Sequence, residues 1–295
     1  GISGRVNMVD DLTNGGTAMG RFGWKASNPD LRQQAASAFA HDMGMPNELV
    51  GDGPMEIDSV TLDSMVSYLR GLAVPPRENY LDPVAQQGKV LFETAGCISC
   101  HRPAMRTASD AEFMPYRDLV IQPFTDLLLH DMGEDLADNR PEFEASGREW
   151  RTPPLWAIGY VGHVLGTPTD AFNPNGTPAQ PNYLHDGRAR SLLEAILWHS
   201  GEGAAARDAV LAMDSTERDA LIEYVKFPFV DSTTLPEAVA CPADFTGEGQ
   251  LNFLDVSAFL ASFGSLDPSA DMNGDGQFNF LDVSAFLASF MQGCP

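Results

Sequence analysis

Residues 97–101 of this chain read Cys97-Ile98-Ser99-Cys100-His101. The two thiols lie one turn apart, so both can add to the vinyl groups of a single haem, and the adjacent histidine is then placed below the iron. The alternative is a redox-active or zinc-binding Cys-x-x-Cys that happens to precede a histidine. A zinc site would require a second Cys/His pair nearby, and the sequence has none. The spacing therefore predicts one covalently bound c-type haem in this chain.

Helical patterns flank this motif on both sides. Residues 82–92 have helical periodicity and lead directly into the motif, and residues 216–226 form a later amphipathic segment. The two segments resemble the packed terminal helices of the cytochrome c fold through Gly88, Phe92, Leu221 and Tyr224. Residues 103–180 are rich in proline and glycine. We therefore expect a mainly α fold, with a cytochrome c-like haem domain that carries long irregular loops.

Composition and charge restrict the partners and the compartment. The chain has 295 residues, with 18 Lys+Arg against 41 Asp+Glu and a formal net charge of -23, which argues against nucleic acid or an anionic membrane surface as partner.

No apolar run approaches the roughly 18 residues of a transmembrane segment, and any export signal would lie upstream or have been removed. The haem motif and a candidate Cys241–Cys294 disulfide predict an extracytoplasmic protein, whether periplasmic, cell-surface or secreted. Two free thiols are the alternative for that pair.

Residues 20–226 resemble the di-haem c-type oxidoreductases related to bacterial cytochrome c peroxidase, in the peroxidase-like branch often labelled thiol oxidoreductase. The resemblance is carried by Gly20-Arg21-Phe22-Gly23-Trp24-Lys25-Ala26, Leu127-Leu128-Leu129-His130-Asp131-Met132-Gly133, Glu149-Trp150-Arg151-Thr152-Pro153-Pro154-Leu155-Trp156 and the stretch from Leu184 to His199. It implies two haem domains, one that accepts electrons and one that performs peroxide chemistry. This sequence has one Cys-x-x-Cys-His, so we expect the upstream haem segment to be absent from it, and peroxidase turnover when that segment is present.

The same resemblance implies roles for residues outside the motif. His185 would shape the haem pocket, and a plain structural role is the alternative. Arg188 and Arg190 would pair with the haem propionates, since guanidinium groups match carboxylates, and the alternative is that they are surface arginines. Asp42 is implied as the acid/base of peroxide cleavage. Trp24 is implied as a relay for electrons between the haems.

His199 is the candidate for the sixth iron ligand. In the related peroxidases this ligand is a methionine that lies 14 residues after the histidine corresponding to His185, and at that spacing this chain has His199. A helix predicted from Ser191, with a capping box formed by Ser191 and Glu194, would place His199 on its apolar face. Met213 is the alternative ligand, and a core histidine is the alternative role.

A repeat occupies the C-terminal part of the chain. Residues 252–263 recur 27 residues later, at 279–290. Each copy follows a loop whose oxygen-bearing side chains have the spacing of calcium ligands, with glycine at the sixth position. The predicted ligands are Asp244, Thr246, Glu248, Gln250, Asn252 and Asp255 in the first loop and Asp271, Asn273, Asp275, Gln277, Asn279 and Asp282 in the second. We therefore predict two bound calcium ions, with a solvated acidic turn as the alternative.

Each calcium loop precedes one amphipathic helix, and no helix of EF-hand length precedes the loop. This arrangement resembles the type I dockerin repeats of secreted bacterial proteins. The resemblance implies a small α domain of paired calcium loop-helix units and a cell-surface or cohesin-like partner. Dockerins usually have small hydroxylated residues late in the loop, whereas this chain has Phe253-Leu254 and Phe280-Leu281 there.

Together these patterns predict four segments. They are the remainder of a first cytochrome-like domain (1–80), a C-terminal cytochrome c domain (81–230), a linker (231–240) and a dockerin-like calcium-binding domain (241–295). The leading function is electron transfer in a di-haem peroxidase-type oxidoreductase, with an electron donor protein or a small redox carrier as partner. The alternatives are a single-haem electron carrier and a cell-surface attachment protein that acts through the dockerin-like module.

Overall fold

The computed structural model describes residues 2–72, 74, 79, 81–111, 116–166, 180–228, 243, 245–246, 251, 253–272 and 276–292. The chain folds as two compact units. The motif unit comprises residues 1–106 and 121–230, and the repeat unit comprises residues 107–120 and 231–295. Within the described ranges, no helix is long and apolar enough to cross a membrane. The four segment boundaries proposed from the sequence stay predictions.

Helices dominate the described structure, which confirms the mainly α fold. They are α1 (Leu31–Asp42), α2 (Ser59–Arg70), α3 (Pro83–Thr94), α4 (Val161–Leu165), α5 (Leu192–Leu197), α6 (Ala204–Ala212), α7 (Ser215–Lys226), α8 (Phe253–Gly264) and α9 (Phe280–Gln292). The strands are short: β1 (Met8–Asp10), β2 (Thr17–Met19), β3 (Met105–Arg106), β4 (Val120–Ile121), β5 (Leu129–Asp131) and β6 (Glu149–Arg151). The helical segments predicted at 82–92 and 216–226 are present as α3 and α7.

Side-chain caps explain where the first two helices, α1 and α2, begin. The Asp30 carboxylate accepts a hydrogen bond from the backbone N–H of Gln33 at the start of α1, and Asp58 does the same for Thr61 at the start of α2. The two helices share a small buried cluster that contains Leu62 and other apolar side chains. This cluster is separate from the core around the Cys-x-x-Cys-His motif.

Helices α3 and α7 pack face to face and form the core of the motif unit. Their backbones approach closely at Gly88, where a Cβ would overlap the carbonyl oxygen of Ala220 and lie 2.7 Å from its carbonyl carbon and 2.8 Å from Cβ of Tyr224. Next to this contact the ring of Phe92 lies 5.3 Å from that of Tyr224 and 6.2 Å from that of Phe124. These aromatic contacts fill the core directly behind the motif.

A two-stranded hairpin lies beside this core. Strands β5 and β6 are antiparallel, and His130 is opposite Trp150 in their register. The N-terminal segment adds a further bridge, because the backbones of Arg5 and Leu129 exchange two hydrogen bonds of 3.0 and 2.8 Å. The hairpin positions several of the polar side chains of the candidate site.

In the repeat unit, the two copies of the sequence repeat form helices α8 and α9. Phe259 and Phe286, which are equivalent in the repeat, stack with ring centroids 4.1 Å apart and are both buried. Asp255 and Asp282, also equivalent, are fully buried near the starts of their helices. The duplication in sequence is therefore a duplication in structure.

Candidate haem site

The Cys-x-x-Cys-His motif begins with a short 3-10 turn, Cys97–Ser99, directly after α3. Gly96 ends the helix with a φ of 85°, a left-handed conformation that glycine adopts without strain. The backbone N–H groups of Cys100 and His101 both donate to the carbonyl oxygen of Cys97, over 3.4 and 3.0 Å. Both thiols are free and partly exposed. The turn therefore places two thiols next to the histidine, and burial raises the pKa of the Cys97 thiol to about 11.

The two ring nitrogens of His101 have different surroundings. Nδ1 lies 3.0 Å from the carbonyl oxygen of Phe124, which can only accept, so Nδ1 carries the proton. Among the described residues, Nε2 has no hydrogen-bond partner. Burial, together with the nearby His199, lowers the pKa of His101 to about 4, so the ring is neutral at pH 7. A neutral imidazole with one nitrogen held by a carbonyl is prepared to bind a metal through the other.

His199 repeats this arrangement from a different segment. Its Nδ1 lies 2.8 Å from the carbonyl oxygen of Ala195, and Nε2 has no hydrogen-bond partner within the described ranges. Burial lowers the pKa of His199 as well. Space beside the ring is tight, because a Cβ on Gly203 would lie 3.2 Å from both Cβ of His199 and Cε of Met132.

The sequence prediction for the helix before His199 needs two corrections. The Ser191 side chain caps α5 by accepting from the backbone N–H of Glu194 at 3.0 Å, but the Glu194 carboxylate accepts from Arg190 N–H rather than from Ser191. The capping box is therefore only half formed. Helix α5 also ends at Leu197, so His199 lies just beyond the helix and is held there by a backbone bond to Ile196.

Apolar side chains form the wall of this site. The buried cluster contains Ala85, Phe92, Ala95, Phe124, Leu155, Leu192, Val210, Leu221, Tyr224 and Val225, and Cys97, Ile98, Ile196 and Met213 pack against it. The Phe92 ring lies 6.3 Å from the His101 ring. Two thiols, two neutral imidazoles and an apolar wall are the ligands and surroundings that a haem requires. The residues present therefore fit a haem.

A polar cluster lies beside the second cysteine. His130 is buried, with its Nε2 2.9 Å from Asp126 Oδ2 and its Nδ1 2.8 Å from Glu202 Oε2. The sulfur of Cys100 is 3.7 Å from the same Nδ1. Cys100, Asp126 and His130 each offer a ligand atom, and these atoms lie within 4.8 Å of one another. Because carboxylates occupy both nitrogens of His130, this histidine is not available as an iron ligand.

Comparison with known proteins identifies the family. The family model described as "Di-haem oxidoreductase, putative peroxidase" matches residues 50–227, more than half of the chain. The chain belongs to this family. Membership confirms the coarse predictions from the sequence, a haem cofactor and an oxidoreductase function.

Among solved structures, the chain is similar to the hydrazine synthase of Kuenenia stuttgartiensis, solved under 20 bar of xenon. The TM-score is 0.38 and the identity is 17%, over 69% of this chain and 62% of that chain. The chain thus spans less than two thirds of the length of that protein. No curated protein matches the chain.

In this di-haem oxidoreductase, His185 lies in a stack of three side chains. Its ring lies 3.6 Å from the Trp150 ring, nearly parallel to it. The ammonium group of Lys25 lies 4.3 Å from the Trp150 ring centroid, and it donates to Asp138 and to two backbone carbonyls. Burial lowers the pKa of His185. The stack fixes the orientation of the His185 ring. The buried charge of Lys25 is balanced by the carboxylate of Asp138.

The two arginines predicted to meet the haem propionates have different surroundings. Arg188 forms an ion pair with Asp186 at 2.6 Å and lies over the ring of Trp198. Arg190 is exposed. The sequence analysis assigned no role to a third arginine, Arg151. Its guanidinium donates to the carbonyl oxygens of Gly23 and Thr152, and it has no carboxylate partner among the described residues. Burial lowers its pKa.

Trp24 and Asp42 both lie at the surface of the motif unit. The Trp24 side chain is about half exposed, and its carbonyl oxygen accepts from the backbone N–H of Arg151. Asp42 is the last residue of α1 and is exposed, with His41 beside it. Their predicted redox roles depend on a second haem and stay predictions.

The predicted calcium loops are described in part. Asp255 accepts from the backbone N–H and the hydroxyl of Thr246, at 3.0 and 2.8 Å, and Asp282 accepts from the backbone N–H of Asn279 at 2.8 Å. At the start of the second loop, Asp271 accepts from the N–H of Gly276 at 2.8 Å. Gln277 is exposed. The remaining predicted ligands and both cysteines of the candidate disulfide lie outside the described residues: Asp244, Glu248, Gln250, Asn252, Asn273, Asp275, Cys241 and Cys294.

Proposed function

We propose that this chain holds one c-type haem, bound covalently through Cys97 and Cys100, with His101 and His199 as the two iron ligands. The strongest support is that the two imidazole rings have the same hydrogen-bonding pattern and the same direction of pKa shift. Each has Nδ1 held by a backbone carbonyl, a lowered pKa and an Nε2 without a hydrogen-bond partner in the described part of the chain. His199 also contributes to the lowered pKa of His101, which supports pairing the two rings.

The haem supplies one-electron chemistry when it is bound, and the protein controls the surroundings. His101 is kept in one tautomer by Phe124, and His199 by Ala195. The apolar wall excludes water from the ligand side. Two imidazole ligands favour ferric iron more than an imidazole and a thioether do, so we expect a low-potential centre.

For the whole protein we propose electron transfer in an extracytoplasmic di-haem peroxidase-type oxidoreductase. The family match and the Cys-x-x-Cys-His motif support this proposal. The partner would be an electron donor protein or a small redox carrier. Peroxide turnover by the holo-protein with a reduced dye tests the assignment. A protein that exchanges electrons but turns over no peroxide would be a single-haem carrier.

Covalent attachment gives a direct prediction. In the variant Cys97→Ser with Cys100→Ser, essentially all haem should be removed by acid denaturation and solvent extraction, because no thioether bond holds it. The wild-type chain should keep its haem under the same treatment. Mass spectrometry of the denatured proteins measures the difference, and Ser99→Ala, which changes the motif but keeps both thiols, is the control. Haem retained by the double variant would contradict covalent attachment at this motif.

We further propose that the repeat unit binds two calcium ions in a dockerin-like arrangement. The support is the pair of buried carboxylates, Asp255 and Asp282, at equivalent positions in the first turns of equivalent helices. Gly276 also has a φ of 74°, as the sharp turn at the sixth loop position requires. Residues 241–295 contain no Lys, Arg or His, so this segment is strongly acidic. Such a module would attach the oxidoreductase to a cell surface or a cohesin-like partner.

Calcium should therefore stabilise the repeat unit. At 100 times the dissociation constant, the expected gain in the free energy of unfolding is about 2.7 kcal/mol per site. The second loop should bind more tightly than the first, because its ligands at positions 3 and 5 are stronger. Calorimetry of the full chain with calcium and with chelator measures both effects. Asp282→Asn should reduce the gain more than Asp255→Asn, and Asp267→Asn, outside both loops, is the control. Equal affinities or no calcium dependence would count against the proposal.

A further inference from the structure

His130 connects two segments that are far apart in the sequence. Its Nε2 is 2.9 Å from Asp126 and its Nδ1 is 2.8 Å from Glu202, 72 residues away, while its side chain is only 3% exposed. A neutral imidazole has one N–H and could donate to only one of these carboxylates. The imidazolium form has two N–H groups, so it can donate to both carboxylates at the same time. Burial alone would lower the pKa of His130, but the bonds to the carboxylates of Asp126 and Glu202 raise it, and both bonds remain when Cys100 is bonded to the haem.

Each carboxylate belongs to a segment that carries a proposed iron ligand. Asp126 comes two residues after Phe124, whose carbonyl oxygen holds Nδ1 of His101. Glu202 comes three residues after His199 and lies in the short turn Gly201–Gly203. The charged ring of His130 therefore joins the segment that orients one ligand to the segment that carries the other.

The surrounding contacts fix this connection on both sides. Near Asp126, the hydroxyl of Thr125 donates to the carbonyl oxygen of Thr152 at 2.6 Å. Near Glu202, the hydroxyl of Ser200 donates to the carbonyl oxygen of Met132. Glu202 also accepts from the backbone N–H and the hydroxyl of Ser3, at 2.9 and 2.5 Å. Both carboxylates that bond to His130 therefore belong to segments that are themselves hydrogen-bonded to neighbouring parts of the chain.

We propose that His130 is a positioning residue, which holds the His101 and His199 segments at the separation that lets both imidazoles bind one iron. This inference rests on the proposed ligation by His101 and His199. It assigns no direct contact between His130 and the iron. The imidazolium acts through Asp126 and Glu202, and without it the direct link between the two segments is lost.

The test is carbon monoxide binding to the ferrous holo-protein. Carbon monoxide must displace His199 from a six-coordinate iron, so its binding rate reports how firmly that ligand is held. In His130→Gln the rate should rise about 10- to 100-fold, matching the size of the loss in metal affinity or activity when a group that orients a metal ligand is removed. Glu202→Gln should produce a rise in the same direction. Glu134→Gln is the control, since among the described residues that exposed carboxylate pairs with Arg148 and not with His130.

Melting temperatures measured on the same proteins separate positioning from simple stabilisation. A lower melting temperature with an unchanged carbon monoxide rate in both His130→Gln and Glu202→Gln would overturn the positioning role while leaving the ligation intact. If His130→Gln does not fold, Glu202→Gln alone decides. A wild-type protein whose iron binds carbon monoxide as fast as a five-coordinate haem would overturn both the ligation by His199 and the inference that depends on it.

Discussion

Replacing His199 by alanine should convert the haem iron from a low-spin, six-coordinate centre to a five-coordinate one. The segment of His199 is held by the backbone bond to Ile196 and by the contact of Ser200 with Met132, so we expect it to stay in place when the imidazole is removed. Essentially all of the ferric low-spin spectrum should be lost. The ferrous variant should bind carbon monoxide rapidly. Absorption and electron paramagnetic resonance spectra of the holo-protein measure the change.

Two methionines provide the matched controls for this variant. Met213 packs against the core cluster, and Met132 lies near the His199 ring, so each is a plausible replacement ligand. Met213→Leu and Met132→Leu should leave the wild-type spectrum unchanged. A near-infrared sulfur-to-iron band in the wild type, lost in one of these variants, would assign the sixth ligand to that methionine. A low-spin spectrum that survives His199→Ala would also exclude His199.

Gly88→Ala should destabilise the motif unit by about 3 kcal/mol, at the upper end of the cost of adding a methyl group to a packed core. The added Cβ would meet the backbone of Ala220 rather than the end of a flexible side chain. Helices α3 and α7 must therefore separate, and the contact between Phe92 and Tyr224 opens with them.

Denaturant unfolding, followed at the haem absorbance so that it reports the motif unit, measures this loss. Gly71→Ala is the control, because Gly71 has a φ of -82° and its nearest new contact would be an ordinary 3.4 Å. That variant should change the free energy of unfolding by less than about 1 kcal/mol. Equal stability of the two variants would mean that α3 and α7 do not depend on the glycine contact.

Several features of this protein could be predicted from the sequence because they depend on neighbours in the chain. The Cys-x-x-Cys-His spacing, the amphipathic periodicity of α3 and α7 and the 27-residue repeat are local patterns. Helix starts at Asp30 and Asp58 likewise follow from a side chain that bonds to a backbone group three residues away. The mainly α class and the family followed from these patterns.

Other features had no signal in the sequence. The groups that hold His101 and His199 are the backbone carbonyls of Phe124 and Ala195, which every residue type has. The bond from Glu194 to Arg190, in place of a full capping box, depends on the path of the chain before the helix. Residue identity alone could not distinguish these arrangements.

The sequence by itself determined that this chain binds a haem and is mainly helical, since covalent spacing and helical periodicity operate over a few residues. Only the tertiary structure decided which distant side chains meet within the motif unit. His130 meets Glu202 across 72 residues, and Arg151 is placed against Gly23 across 128. The energy of such contacts depends on burial and on exact atomic positions, and these exist only after the distant segments have packed together.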